Sequence, residues 1–432
     1  MNLILVELNE INFDMVKIYL DKGIKLPGFD AIIGDQLLKT RAEEKYEEIE
    51  PWIQWPSVHT GLSYDGHKVF RLGDSINSDK KQFFEKVEEA GYLVGAISPM
   101  NASNKLQNPA FFIPDPWTKT PSDRSFLSKA LKSALSQAVN DNSKSKLTVS
   151  TIIKLSIIFL ALVKPTRFIP LVLYAIKAYK KPWRKALFLD MFLFEIHKTL
   201  YKRKKPNFST IFLNAGAHIQ HHYFYNSQYV AKPELSNPSW YVQESEDPCL
   251  EMIKIYDEII QSFLSLPSTE IIIATGLSQK PYDKLKYYYR LNDHEFFLND
   301  LGIVFSSVIP RMTRDFLITF NTSEEAISAE IKLNKVMVND TFKLFNDIDN
   351  RGKSLFVVLT FSDEITEKTQ LNFESRTFIL KKHVVFVAIK NGEHQSEGFA
   401  YFSNGLMKYA PANGSQVSKI HNTVLNFFRI SN

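Results

Sequence analysis

Residues Glu50–Asp74 crowd two tryptophans, two histidines, an arginine and three carboxylates into 25 positions. These are side-chain types that bind ligands and move protons, though alone the stretch does not outweigh a buried aromatic helix with a polar loop. Trp52 and Trp55 stand three apart, and Val58 and Leu62 continue that face, so the spacing predicts a helix from Trp52 to about Leu62 after a break at Pro51. Its N-terminus would offer backbone N–H groups and the positive end of a helix dipole to a phosphate or sulfate. Four of the ten histidines fall in two places: His59, and His218, His221 and His222 in NAGAHIQHHYF. His218 and His222 share a helix face at i, i+4, the spacing of a metal pair. Asn214–His218 directly follows an apolar strand, where α/β sheets place ligand groups. His394, in NGEHQSEGFAYF, precedes another strand and joins the group if the sheet brings them together. A plainer reading stands beside each: a buried aromatic helix with a polar loop, and histidines that hydrogen-bond loops.

The elements that must position these residues read as strand, helix, glycine, strand. Leu3–Leu8, Tyr92–Ile97, Ser209–Leu213 and Glu270–Ala274 are short apolar strands. Phe13–Leu20, Lys80–Ala90 and Glu251–Leu266 have helical periodicity, the first two closed by Gly23 and Gly91. That alternation is the grammar of a parallel sheet with crossover helices. From about Pro310 to His383, DFLITF and SLFVVLTF alternate with helical stretches such as Glu324–Leu333, the texture of a smaller α+β subdomain. Val384–Ile389 is read as the return to the core, Phe399–Phe402 as a further strand and Val417–Phe428 as a closing helix. The expected division is core 1–129, insert 130–205, core 206–309, subdomain 310–383 and core 384–432.

Composition narrows the chemistry. With 432 residues, 44% hydrophobic and 23% charged, the chain can bury a large core. A single cysteine, Cys249, excludes a disulfide framework and a cysteine-based zinc site, and it suits a reducing, cytoplasmic setting. The opening MNLILVELNE lacks a basic leader and reads as a strand. Gly61–Lys68 imitates a phosphate-binding loop, but His67 and Lys68 stand where Lys and Ser/Thr are required. Neither G-x-G-x-x-G nor G-x-S-x-G occurs.

Charge is uneven. Residues 144–205 carry 15 Lys/Arg against two acids, Asp190 and Glu195, while the rest of the chain is net acidic. Within 147–181 the longest uncharged runs are nine residues, too short to cross a bilayer. Aliphatic and aromatic residues interleaved with Lys and Arg fit helices lying in an anionic membrane interface, and fit equally a helical cap packed on the core. No nucleic-acid motif accompanies the charge.

Taken in order, several segments resemble the alkaline phosphatase superfamily, near its type I phosphodiesterase/nucleotide pyrophosphatase branch. LVELNEINFDMVKIYLDKGIKLPGF resembles that branch's opening, WIQWPSVHTGLSYDGH its nucleophile helix, EAGYLVGAI its second strand, FLNAGAH its D-x-x-x-H metal segment and GEHQSEGFAYF its last metal-histidine segment. The resemblance, which lies outside 130–205 and 310–383, implies an α/β fold with a central, mostly parallel sheet and helices on both faces; the helical basic-apolar insert and the small α+β subdomain read from the chain itself add to it. The resemblance also implies metal ligands at Glu7 or Asn9, Asn214, His218 and His394. The chain departs from the pattern where it matters. Pro51 stands at the nucleophile, Asn214 replaces an Asp, and Thr275-Gly276 replace an Asp-His pair. A two-metal site needs several carboxylates, so the expectation is one divalent ion, zinc or manganese/magnesium.

The expected function is that of a divergent phosphoester-processing hydrolase or transferase acting on a nucleotide- or lipid-linked sugar phosphate, as in surface-polysaccharide assembly. Glu50 or His59 would be the base and Arg71 would hold phosphate; Trp52, Trp55, His67, Asp74 and His222 would line the substrate. The alternatives are an inactive relative that binds a phosphorylated ligand or partner protein, and a membrane-surface scaffold sharing only the fold. Residues 147–181 would attach the protein to the inner face of a membrane.

Overall fold

A computed structural model describes residues 2–34, 36–140, 148–230, 234–311 and 314–431. The chain forms two compact units. The first comprises Met1–Ala231, Gln243–Pro281 and Gly392–Asn432; the second comprises Lys232–Val242 and Tyr282–Asn391.

In the first unit β1 (Asn2–Leu8) is apolar on both sides except for Asn2 at its start and the buried Glu7, as a central parallel strand requires. Asn12 caps α1 (Phe13–Asp21) by accepting from the backbone N–H groups of Asp14 and Met15. Then come α2 (Pro27–Ile32) and β2 (Leu37–Arg41). Helix α3 (Pro51–Thr60) opens with proline at its first position and stops at Gly61, whose φ of 78° suits glycine. It therefore ends short of Leu62, the limit that the apolar face alone suggested. The segments α4 (Tyr64–His67), α5 (Phe83–Glu89), β3 (Val94–Ile97) and β4 (Phe111–Ile113) complete the first half. Four helices form the insert: α6 (Phe126–Asn140), α7 (Val149–Leu162), α8 (Pro165–Ala178) and α9 (Pro182–Lys204). None is long and apolar enough to cross a membrane, among the described residues. The second half brings β5 (Phe208–Leu213), α10 (Ala215–Tyr223), α11 (Pro248–Leu264) and β6 (Thr269–Ala274).

The chain leaves the first unit along β7 (Ser278–Leu291). The second unit holds α12 (His294–Asp300), β8 (Ser307–Pro310), β9 (Asp315–Thr319), α13 (Ser323–Leu333), β10 (Met337–Val338), β11 (Phe342–Lys343), β12 (Asp347–Asn350), β13 (Ser354–Val358), β14 (Gln370–Phe373) and β15 (Arg376–Ile379). Its strands form two four-stranded antiparallel sheets. The return is β16 (Val384–Gln395), paired with β7. This α+β unit is larger than the 310–383 read from the sequence. Tyr287, Tyr289 and Leu291 of β7, and Val384 and Ile389 of β16, are buried in its own core. Val384–Ile389 is thus not yet the return to the main core, which the chain re-enters at Gly392. Along β16 the apolar Val384–Ile389 gives way to the polar Lys390–Gln395 close to the point of re-entry, and an apolar strand run reads alike whichever core it fills. The chain closes with β17 (Glu397–Phe402), β18 (Ser415–Gln416) and α14 (Ile420–Phe427).

The main sheet has the order β18-β2-β17-β6-β1-β5-β3-β4. Only β17 runs antiparallel to its neighbours; the other pairs are parallel. Leu3, Leu5, Phe208, Phe212 and Ile272 pack with residues of α3, α5 and α14 on one side. On the other, His197 of α9 meets Ser209 of β5 at 3.1 Å, and Phe194 of α9 meets Phe263 of α11 edge-on. The protein is therefore an α/β fold with a mostly parallel central sheet and helices on both faces. The consequence for function is local: β1, β5 and β6 end side by side, and Asn9, Glu10, Asn214 and Gln279 issue from those ends.

Candidate metal centre

Glu10 leaves β1 with a φ of 63°, a left-handed conformation uncommon for a side chain of this size. Its backbone is held on both sides: the N–H donates to Thr275 O (3.0 Å), and the carbonyl accepts from Gln220 Nε2 (2.8 Å). Its carboxylate is buried and clamped, Oε1 accepting from Asn9 Nδ2 (2.9 Å) and Oε2 from Gln279 Nε2 (2.5 Å). Asn9 in turn accepts from Trp55 Nε1 (2.8 Å) and donates to Asn214 Oδ1 (2.9 Å). The strand ends and the start of α10 are thereby joined by one network of side chains, so the strained Glu10 is over-determined by its surroundings.

Two histidines meet that carboxylate. His221 Nε2 lies 3.2 Å and His394 Nε2 3.0 Å from Glu10 Oε2, and the two Nε2 atoms are 3.1 Å apart. The far side of each ring fixes its tautomer. His221 Nδ1 is 2.9 Å from Gly392 O, and a carbonyl only accepts, so Nδ1 carries the hydrogen. His394 Nδ1 is 3.3 Å from Glu50 Oε2, a carboxylate that likewise accepts. In the neutral His221 ring the Nε2 lone pair therefore points at Glu10 Oε2, and when His394 likewise carries its hydrogen on Nδ1, toward Glu50, three electron pairs converge on one point. Only a positive centre, a proton or a metal ion, stabilises such an arrangement. Bonds of 2.0–2.1 Å in a tetrahedral zinc site imply ligand atoms about 3.3 Å apart, close to the three separations here. The arrangement of imidazole Nδ1 on a carboxylate or carbonyl is also how metal-bound histidines are oriented. Among the described residues, Glu10, His221 and His394 are the group of His, Cys, Asp and Glu whose donors cluster in this way.

Without an ion, protons on the rings supply the positive charge. Burial alone would raise the Glu10 carboxyl, but His394 and His221 outweigh it and hold the group well below the usual carboxylate range. Gly392 is required by close approach: a Cβ there would stand 2.7 Å from the Gln220 carbonyl oxygen. Any side chain would displace the very carbonyl that orients His221.

The sequence-derived residues are distributed unevenly about this centre. His394 supplies a donor, Glu50 orients it, and Asn9, Asn214 and Trp55 belong to the supporting network. Glu7 points elsewhere, accepting from Thr210 Oγ1 in the core 3.6 Å from His59 Nε2. His59 is wholly buried among Trp55, Phe83 and Phe84. The ring is closed off from solvent there, and Glu50 is the more exposed of the two candidate bases. His67 is buried too: its Nδ1 accepts from Val69 N–H and its Nε2 bonds Ser57 Oγ, each at 3.0 Å. Burial, with the His59 and Lys68 charges, lowers its pKa to about 4. It fastens the loop after α3 and does not line a substrate. Trp52 donates to Phe70 O, and Asp74 caps the exposed turn of Arg71. Asn101, with a φ of 50°, ties these together by donating to Trp52 O and Arg71 O. His218 and His222 stack edge-on, 4.8 Å apart. As for the anion seat at the start of α3, Pro51 lacks an N–H, and Ile53 and Gln54 both donate to Glu50 O.

Sequence reasoning missed Glu10 and His221. The i, i+4 rule favoured His218 with His222 and passed over His221, whose partner lies 173 residues away. The available signal was positional: Glu10 follows the first strand end, beside the Asn9 that the resemblance had selected. A cavity of about 400 Å³, lined by Phe111, Arg124, Leu131 and Arg203 among others, lies by β4 and α6 and includes none of these residues.

No family model matches the chain, and no curated protein matches it by sequence. Solved structures do match over nearly its whole length. Phosphonoacetate hydrolase from Sinorhizobium meliloti, in complex with phosphonoacetate, is 12% identical with a TM-score of 0.47, covering 99% of this chain and 96% of that one. Murine ectonucleotide pyrophosphatase/phosphodiesterase 5 in complex with AMP is 8% identical with a TM-score of 0.43, covering 100% and 96%. Alkaline phosphatase from the Antarctic bacterium TAB5 is 8% identical with a TM-score of 0.41, covering 100% and 99%. All three belong to the alkaline phosphatase superfamily. The chain resembles that superfamily. The likeness is distant, and the chemistry of the site rests on the chain's own residues.

Proposed function

We propose that this chain is a divergent phosphoester-processing enzyme, a hydrolase or transferase, built around one divalent ion held by Glu10, His221 and His394. The observation that carries the reading is the convergence of three donor atoms within 3.2 Å, with both histidines oriented from behind. One carboxylate and two neutral imidazoles suit a single ion of the zinc or manganese class. When bound, such an ion supplies Lewis-acid stabilisation of charge on a phosphoryl group. The chain's own residues do the positioning. Glu50 and the Gly392 carbonyl keep the protons on the Nδ1 atoms, and Asn9 and Gln279 keep the carboxylate from turning. With proline at position 51 there is no hydroxyl nucleophile there, so an acceptor hydroxyl or water would attack directly. Glu50, partly exposed at the start of α3, is the candidate base for it, and Arg71 the candidate phosphate ligand.

The substrate we favour is a nucleotide- or lipid-linked sugar phosphate, used in surface-polysaccharide assembly by a protein peripheral to the inner face of the membrane. The support is the resemblance together with the basic, apolar insert. The test is metal analysis of purified protein followed by turnover of nucleotide sugars and a generic phosphodiester, in the native chain and in Glu10→Gln. One equivalent of metal and turnover, both lost in the variant, are expected. Metal without turnover on any phosphoester would make the chain a ligand-binding relative, and neither would overturn the proposal.

A further inference from the structure

Helices α7 and α8 face outward with the wrong chemistry for water. On α7 the exposed positions include Val149, Ile153, Ile157 and Leu160, spaced along one helical face, with Leu160 68% exposed. On α8 they include Ile169, Val172, Leu173 and Ile176, again on one face, with Ile169 72% and Ile176 65% exposed. The inward sides are slight: Thr151, Ile158 and Leu162 on α7, and Leu171 and Ala178 on α8. An ordinary surface helix is apolar inward and polar outward; these two are apolar on both sides. Contiguous exposed apolar surface of this kind marks an interaction face.

The helices are nevertheless firmly attached. Phe159 and Phe168 stack across the α7–α8 junction with centroids 4.9 Å apart, and Phe159 also meets Phe192 of α9. Arg167 Nε bonds Glu195 at 3.1 Å, and Tyr174 OH donates to Glu251 at 2.9 Å. The outward face is thus a fixed part of the first unit.

Charge says what covers it. The two acids of the basic segment, Asp190 and Glu195, are both buried, so its surface is cationic. Lys164 at the helix junction and Lys177, Lys180 and Lys185 beyond it are exposed. An apolar stripe edged by lysines, with no exposed acid, matches an anionic lipid surface and not a second copy of itself, whose face would carry the same positive charge.

We infer that α7 and α8 form a monotopic docking face, lying in the headgroup region of an anionic bilayer with Val149–Leu160 and Ile169–Ile176 inserted and the lysines at the phosphate level. This deepens the membrane placement in the proposed function and rests on that part of it alone; neither helix contributes to the metal centre, so loss of vesicle binding and loss of metal or turnover are separate failures.

The test is sedimentation of the full chain with vesicles of phosphatidylcholine alone or mixed with phosphatidylglycerol. Binding to the anionic vesicles, weakened by salt, is expected. Lys164→Gln and Lys177→Gln should each weaken it about fivefold, and Ile169→Glu with Ile176→Glu should abolish it. Both isoleucines are exposed, so circular dichroism of that variant should match the native chain. No binding, or equal binding to neutral vesicles, overturns the inference. So does a stable dimer in solution that the same two substitutions dissociate.

Discussion

Two carboxylate–imidazole groups stand within a few residues of each other in sequence and do different things. Glu7 and His59 come from the strand and helix interiors; Glu10 and Glu50 come from the ends of those same elements. The Glu7–His59 pair is wholly buried at 3.6 Å, and neither His59 nitrogen has a hydrogen-bond partner among the described residues. Glu10 meets His394 at 3.0 Å and His221 at 3.2 Å, and each ring is held from behind. Residue type does not separate the two groups. What separates them is whether lone pairs converge on a point that an ion can reach, and whether the opposite ring nitrogen is fixed. An interior pair resembles a buried ion pair, of uncertain benefit to stability; a strand-end cluster resembles a ligand set.

The sharpest way to break this comparison is to remove a donor from the converging group. Glu10→Gln and His394→Ala should each lower metal affinity at least 100-fold, beyond the 10- to 100-fold typical of outer-layer changes. Isothermal titration of metal-free protein with zinc measures it. His218→Ala is the discriminating control, because the resemblance made His218 a ligand; retained affinity favours His221, and a comparable loss returns the ion to His218.

Glu7→Ala tests the other side. It opens a cavity in β1 and strips Thr210 of its acceptor, which should cost about 3 kcal/mol of stability. Zinc affinity should not change. Urea unfolding and the same titration report both, and a Glu7 variant that is stable but metal-free would reverse the assignment.

A smaller effect is expected at Glu50. Glu50→Gln removes the charge behind His394 Nδ1 while leaving a group that can still accept there. A loss of roughly 10-fold in zinc affinity, about 1.4 kcal/mol, is expected. An unchanged constant would mean that the 3.3 Å contact does not orient the ring.

Much of this architecture was legible before the coordinates, and the reason is periodicity. β1, β5 and β6 are continuous apolar runs with helices between them, and such runs signal parallel strands whatever their neighbours. The start of α3 is legible from Pro51, and its end from Gly61. The metal centre was only half legible. His394 and the Asn9–Asn214 pair stand out through ordered motifs, whereas Glu10 and His221 join the candidate site through contacts 173 to 384 residues distant in the chain. No local pattern encodes that separation. The extent of the second unit was hidden for a different reason: Val384–Ile389 is an apolar strand run that reads alike whichever core it fills. The burial of His59 was not legible either, because a histidine flanked by aromatic residues reads alike whether it lines a cleft or fills a core.

His197 supplies the remaining control, an imidazole that is buried with no carboxylate at all. It touches Ser209 Oγ and the rings of Phe111, Tyr201 and Phe263. Burial alone pushes its pKa down to about 3. The sign follows from proton counting. Below about pH 6.5 the unfolded chain takes a proton at His197 and the folded chain refuses it until about pH 3, so this residue lowers stability as pH falls through that window. His197→Leu removes the difference. The variant loses the Ser209 hydrogen bond, a constant cost at every pH, but it should gain on the native chain by about 1.4 kcal/mol for each pH unit below 6.5. Urea midpoints of both proteins at pH 7, 5.5 and 4.5 measure the change in their gap. A gap independent of pH would mean that the His197 ring is charged or solvated in the folded state. Burial would then not be enough to tell an inert histidine from a working one, and the contrast between His59 and His394 would rest on convergence alone.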